Sequence, residues 1–194
     1  MTSSIRPVSL FAPISHTALD NASEWVRRWS HLVPEHGTVL DVACGFGRHL
    51  RWFHSRNHPV IGVDKALDAI KSVALLGEVV AADIETGPWP FMASSSMSSG
   101  VRQFDAVVVC NYLWRPLLPR LIDSVAPGGV LIYETFATGN ETVGKPSRPD
   151  FLLNTGELLQ VCKGLKIVAY EDVTLENPAR YVQRIAAIRT KIID

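Results

Sequence analysis

From Val39 onward, short apolar runs of strand type alternate with amphipathic stretches, and the last two strands are separated by only "ENP", Glu176 to Pro178. Two strands joined so tightly cannot be parallel, because a parallel crossover needs a dozen residues or more; they form an antiparallel hairpin. Upstream the order is strand then helix, repeated. "TVLDV" precedes "GRHLRWFHSR", "PVIGVD" precedes "KALDAIKSVALL", and "EVVAAD" is a third strand. "FDAVVVCN" is apolar on both faces, as a central parallel strand must be. "RPLLPRLIDSV", started or kinked at Pro119, leads to the turn and strand "PGGVLIYET". "NTGELLQVCKG" reads as a helix capped by Asn154 or Thr155. Right-handed crossovers turn this order into an open, doubly wound α/β sheet with helices on both faces.

One domain over residues 1–194 accommodates this pattern. Residues 1–36 form an N-terminal helical segment in which "NASEWVRRWSHL" places Trp25, Trp29 and Leu32 at helical spacing. Ala93 to Gly100, "ASSSMSSG", reads as a flexible insertion. Nineteen Lys and Arg balance nineteen Asp and Glu, so no general field draws the chain to nucleic acid or an anionic membrane. No apolar stretch is long enough to span a bilayer, and "MTSSIRPVSLFAPISH" is not a secretory signal. Cys44, Cys110 and Cys162 are odd in number and scattered, which fits reduced thiols and a cytoplasmic location and offers no metal site. A monomer or weak homodimer is expected.

In such sheets a ligand sits beyond the carboxyl ends of the strands, where strand order reverses. "VLDVACGFGRHL" places a glycine turn there. Gly45 and Gly47 permit positive φ and close approach, and the helix beginning near Arg48 aims free N–H groups at the same spot. The second strand ends in Asp64, able to accept both hydroxyls of a ribose. The third ends in Asp83, followed by Ile84, an acid and an apolar face for an adenine. The fourth ends in Asn111-Tyr112. With Asp41 of the first strand, four polar strand ends on one rim point to a nucleoside ligand, although each alone reads equally well as a helix cap. A nicotinamide dinucleotide is disfavoured, since Leu50 stands where the third glycine of its motif belongs.

The segments "LDVACGFGRH", "VIGVDK", "VVAADIETGPWPF", "FDAVVVCNYL" and "APGGVLIYETF" resemble the successive motifs of class I S-adenosylmethionine-dependent methyltransferases. Within that superfamily, "YETFATGNETVGKPSRPDFLLNTGELL" is similar to bacterial members of the tellurite-resistance type. The resemblance implies a Rossmann-like, seven-stranded sheet with the last strand antiparallel and S-adenosyl-L-methionine as cofactor. It departs at Ala43, which replaces the first glycine of the loop, and at bulky Phe46. Carried over, Asp41 orients the loop and reaches the cofactor's amino group, directly or through water. Ala43, Cys44, Gly45 and Gly47 line the methionyl part and Arg48 meets its carboxylate. Asp64 holds the ribose, Lys65 lies beside the adenine, Asp83 and Ile84 hold the adenine, and Asn111 and Tyr112 face the sulfonium and the acceptor.

Methyl transfer from a sulfonium is an in-line displacement whose leaving group departs neutral, so alignment in a dry cavity is the main requirement. A base helps only an acceptor that still carries its proton. Glu134, at the end of the fifth strand, is the base candidate, with pairing to Arg148 as its structural alternative. Tyr112 shapes the acceptor pocket. Cys110 lacks the Pro-Cys context of RNA cytosine methyltransferases and reads as a buried thiol. His49, His54 and the Trp25–Trp29 stripe read as surface or packing residues. Residues 136–153, long for a connection and carrying Gly139, Gly144, Lys145 and Arg148, read as a lid that closes over a small-molecule acceptor together with the segment before Trp25, the alternative being an ordered surface loop that only packs the last helix. The alternative is a non-catalytic S-adenosylmethionine-binding or interaction protein on the same fold.

Overall fold

The structure is a computed structural model and describes residues 21–93 and 100–191. Its sheet is built from β1 (Val39–Val42), β2 (Val60–Asp64), β3 (Glu78–Ala81), β4 (Phe104–Cys110), β5 (Val125–Phe136), β6 (Lys166–Glu176) and β7 (Ala179–Ile188). The order is β3-β2-β1-β4-β5-β7-β6. β1 pairs in parallel with β2 and β4, β4 with β5, while β7 runs antiparallel between β5 and β6. This is the seven-stranded α/β sheet with a reversed last strand that the sequence resemblance implies. The order reverses between β1 and β4, which sets the ligand crevice over the residues following those two strands.

The helices are α1 (Glu24–Trp29), α2 (Arg48–His54), α3 (Leu67–Val73), α4 (Leu118–Asp123) and α5 (Glu157–Val161). One face of the sheet carries α1, α2 and α3, with Trp25, Val26, Leu50, Phe53, Ile70 and Val73 buried against Val39, Ala106, Val108 and Ile132. The other face carries α4 and α5, with Leu118, Leu121, Leu158 and Cys162 against Leu40, Val107, Leu131 and Ile185. β1 is buried at every residue because both faces are covered, whereas edge strand β3 is not.

Two local expectations change. The pattern "KALDAIKSVALL" helically winds only as far as Val73; Leu75 is fully exposed, because the chain must turn there to enter β3. α5 starts not on an Asn154 or Thr155 side-chain cap but after Gly156 at φ 72°, and the Glu157 carboxylate reaches back to accept from the Asn154 N–H at 2.8 Å. The Ser-rich insertion and most of the segment before Trp25 lie outside the described residues, save at their ends.

Candidate functional site

Along the carboxyl rim run three adjoining cavities. The first, of about 250 Å³, is lined by Ala43, Asp64, Lys65, Ala82, Asp83, Ile84, Glu85 and Tyr112. The second, of about 380 Å³, lies over the glycine turn and is lined by Ala43, Cys44, Gly45, Phe46, Gly47, Arg48, Arg51, Cys110 and Asn111. The third, of about 210 Å³, is lined by Glu85, Asn111, Tyr112, Leu113, Thr135, Phe136, Pro146 and Phe151. Ala43 is common to the first two, Asn111 to the last two, and Glu85 and Tyr112 to the first and third. The three therefore form one trough that follows the strand ends.

The turn that floors the second cavity owes its shape to left-handed backbone at Ala43 (φ 53°), Gly45 (φ 51°) and Gly47 (φ 72°). The two glycines do different work. A Cβ on Gly47 would stand 2.5 Å from Val73 Cγ1, so Gly47 lets α2 pack on α3. A Cβ on Gly45 would meet nothing within 4 Å, so Gly45 leaves the cavity floor bare. Asp64 ties the turn to β2. Its Oδ2 accepts from the Gly45 N–H at 2.8 Å and its Oδ1 from the Ala66 N–H at 2.9 Å. Two bonds leave an ionised carboxylate with lone pairs to spare, and Asp64 also lines the first cavity.

Asp83 caps its own turn, accepting from the Glu85 N–H (2.9 Å) and the Thr86 hydroxyl (2.9 Å). Those bonds, led by the one from Glu85, hold its carboxyl below the usual range. Asp83 keeps the rim position expected of it, but it caps no helix, since none directly follows β3 among the described residues; its carboxylate closes a turn instead. Tyr112 stands between the first and third cavities. Its hydroxyl is buried without a hydrogen-bond partner among the described residues. Burial, and then the acids Glu85, Asp83 and Asp64, raise it above the ordinary phenol range. Burial likewise raises the Cys44 thiol, which stays protonated at neutral pH.

Two expectations need correction. Asp41 is not on the open rim. It sits one residue before the end of β1, 1% exposed, and lines none of the cavities above. Its Oδ1 lies 3.6 Å from His49 Nδ1, while Oδ2 is buried without a hydrogen-bond partner among the described residues. His49 falls on the packing side of its surface-or-packing reading and adds polar contacts that the reading lacked. It is 3% exposed, and its Nε2 accepts from the Ser23 N–H at 3.3 Å. Burial disfavours its imidazolium, but Cys110 and Asp41 beside it lift its pKa to about 10. The Ser23 N–H works the other way, since it requires a lone pair on Nε2.

The second correction concerns Glu134. It lines none of the three cavities and does not pair with Arg148, which bonds Asp150 at 2.7 Å instead. Glu134 is 1% exposed. Its Oε1 accepts from the Ser23 hydroxyl at 3.0 Å and its Oε2 faces Arg184 Nη1 at 3.4 Å. Arg184 also reaches Glu171 at 2.8 Å and Glu24 at 3.3 Å. Cys110, Glu134, Arg184 and Glu171 occupy one cross-strand row, since Cys110 faces Glu134, Glu134 faces Arg184, and Arg184 faces Glu171 in register. Ser23, the N-cap of α1, is pinned to this row. Glu134 thus anchors α1 rather than facing the trough.

Residues 136–153 are stapled at their base. Thr138 N–H donates to Leu153 O, Leu153 N–H to Phe136 O, and Ala137 N–H to Tyr181 O, at 2.9 to 3.0 Å. Asn140, 1% exposed, accepts from the Tyr181 N–H and donates to Pro146 O. Arg115 holds the far root, donating to Asp150 O and Leu152 O while forking onto Glu157 at 2.7 and 2.9 Å. Phe136, Pro146 and Phe151 from this segment wall the third cavity. Reasoning from sequence missed Glu85, Arg51, Ser23 and Arg184. Only Arg184 carried a signal, as a charge inside the otherwise apolar run "YVQRIAAI".

No protein-family model matches the chain, and no curated protein matches it. Solved structures do. TehB from Haemophilus influenzae aligns at 18% identity and TM-score 0.65 over 87% of this chain; the chain spans 62% of that protein's length. A TehB-like SAM-dependent methyltransferase from Corynebacterium glutamicum aligns at 15% identity and TM-score 0.62, over 90% of this chain and 93% of the other. Coclaurine N-methyltransferase bound to N-methylheliamine and SAH aligns at 15% identity and TM-score 0.58, over 84% of this chain and 54% of the other. The fold is the one these proteins share.

Proposed function

We propose that this chain is a methyltransferase that uses S-adenosylmethionine and acts on a small molecule. The observation that supports it most is the joining of two unlike cavities at Ala43. One offers carboxylates and an apolar wall, Asp64, Asp83 and Ile84, matched to a ribose and an adenine. The other offers the bare backbone of Gly45 with Arg48 and Arg51 alongside, matched to an amino-acid carboxylate. Lys65 stands beside the adenine, and Asn111 at the seam of the second and third cavities faces the methyl. Asp41 acts from behind, facing His49 of α2. When bound, the cofactor supplies an electrophilic methyl group.

What the chain supplies is alignment. Tyr112 and Asn111 separate cofactor from acceptor, and the segment 136–153 closes the third cavity as a lid. Glu134, walled off by Ser23 and Arg184, positions α1; Asn111 and Tyr112 are the polar groups placed nearest the transfer. A pocket of about 210 Å³, partly open and walled by Phe136, Pro146 and Phe151, suits a small acceptor rather than a nucleic-acid strand. All three cysteines are free and buried, in keeping with a single domain working in the cytoplasm as a monomer or weak dimer. Among the described residues no helix is long and apolar enough to cross a membrane.

Calorimetry with S-adenosylhomocysteine tests the site, with micromolar affinity expected, about 8 kcal/mol. Incorporation of tritiated methyl into a cell-extract acceptor tests the reaction. Binding of NAD with no response to either adenosyl ligand refutes the site, and binding without incorporation assigns a non-catalytic binder.

A further inference from the structure

The third cavity has a composition of its own. Phe136, Phe151 and Tyr112 give it three aromatic rings, and Glu85 is the one ionisable acid or base beside them other than the tyrosine itself. Glu85 is half-buried, its backbone N–H is engaged by Asp83, and its side chain forms no hydrogen bond or ion pair among the described residues. The cations nearby do not line the pocket: Lys145 is exposed, although its neighbour Pro146 is part of the wall. Arg148 is held by Asp150 and lies over the Phe151 ring at 5.1 Å, and Arg115 is forked onto Glu157. Lys65 lines the first cavity, not the third.

An uncommitted carboxylate beside aromatic faces is the chemistry that recognises an organic ammonium. The carboxylate pairs with the charge and the ring faces attract it through their quadrupoles. An anionic acceptor would meet Glu85 with no compensating cation among the residues that line the pocket. We infer that the methyl acceptor is a small amine carrying an apolar or aromatic body, held at its nitrogen by Glu85 and along its body by Phe136, Phe151 and Tyr112. The inference rests on the methyltransferase reading and names the substrate class of that site.

The electrostatics of the reaction favour the same placement. The bound ammonium first gives up a proton to solvent; the lone pair of the neutral amine so formed makes the new N–C bond while the C–S bond breaks toward sulfur. The positive charge passes from sulfonium to the product nitrogen, which then releases a proton to solvent. A carboxylate at the acceptor end of the path stabilises charge that grows in the transition state. Glu85 is therefore a catalytic residue on this reading, in contact with the acceptor, and it needs no role as a strong base.

The test is calorimetry on the intact protein with three probes of one shape: 2-phenylethylamine, 2-phenylethanol and 3-phenylpropanoate. The amine is expected to bind at least about tenfold tighter than the alcohol, and the carboxylate weakest. Glu85→Gln is expected to bring the amine to the level of the alcohol, and to weaken the amine more than it weakens S-adenosylhomocysteine, whose cavity Glu85 also lines. Phe151→Leu is expected to weaken the amine more than the alcohol. A flat or reversed ranking, no binding of the amine, or an amine affinity unmoved by Glu85→Gln overturns the inference. A Glu85→Gln protein that loses S-adenosylhomocysteine instead also overturns it, since Glu85 then serves the cofactor. If the wild-type protein ignores S-adenosylhomocysteine yet keeps the amine preference, the methyltransferase reading fails and the amine site stands alone.

Discussion

Gly45 and Gly47 lie two residues apart in one turn, both in left-handed backbone, and alanine at each should fail in a different way. Left-handed backbone costs a residue with a Cβ roughly 1–2 kcal/mol. Removing a glycine from the unfolded chain returns about 0.4–1 kcal/mol. At Gly45 nothing else enters, because the added methyl meets no atom within 4 Å. Gly45→Ala should therefore cost about 1 kcal/mol of stability, a melting shift of about 2–4 °C in a chain of this size. At Gly47 the methyl arrives 2.5 Å from Cγ1 of Val73, a fully buried residue with no room to withdraw. Overpacking of that kind adds about 1–3 kcal/mol, so Gly47→Ala should lose about 2–4 kcal/mol in all. Binding should rank them in reverse. The Gly45 methyl projects into the second cavity and should weaken S-adenosylhomocysteine at least about tenfold. Gly47→Ala, where it folds, should bind more nearly as wild type. Thermal melts and calorimetry on both proteins decide the matter. Two results would refute the reasoning: Gly45→Ala binding the adenosyl ligand unchanged, or a Gly47→Ala/Val73→Ala double mutant showing no favourable coupling, expected at about 1 kcal/mol or more.

Asp64→Asn removes a charged acceptor shared by the turn and the proposed ribose, and should cost about 1.5–3 kcal/mol of adenosyl affinity, read by calorimetry. Arg184→Met leaves buried Glu134 with only the Ser23 hydroxyl and should destabilise by about 3–5 kcal/mol in urea; adding Glu134→Leu should recover most of it. Burial raises the Glu157 carboxyl, but the Arg115 fork and the Asn154 N–H outweigh it and hold it below its ordinary 4.5. Its contribution is therefore present above that value and lost as pH falls through the lowered one. Urea midpoints measured at about pH 6 and about pH 3.5 should fall less steeply in Glu157→Gln than in wild type. Proteolysis near Lys145 and Arg148 should slow when S-adenosylhomocysteine and acceptor are bound together; a rate indifferent to both removes the lid.

The sheet and its rim were legible because they rest on local rules. Strand and helix periods fix the alternation, and the two-residue link Asn177-Pro178 between β6 and β7 fixes the hairpin. Asp64, Asp83 and Asn111 fall on the rim because each ends or follows its strand. Asp41 does not, because it is one residue short of the end of β1. In a strand that single step decides which face a side chain meets, and Asp41 meets α2. Contacts between distant residues were out of reach. Ser23 joins His49 across 26 positions and Glu134 across 111. Glu85 was passed over because it follows Asp83, whose capping explains the local acid without requiring a second.

The row Cys110–Glu134–Arg184–Glu171 also fixes what can be exchanged between relatives of this chain. Arg184 arrives on the terminal hairpin, while Glu134 arrives on β5 and is buried. A recombinant that took residues 154–191 from one parent and the preceding sequence from another would bring together two halves of a charge pair of separate ancestry. Where the donor lacks a cation in register with position 134, Glu134 is left buried against an apolar neighbour, and the hybrid should fail to fold even with every apolar contact matched. A viable crossover lies upstream of β5, so that Glu134 and the hairpin are inherited as one block.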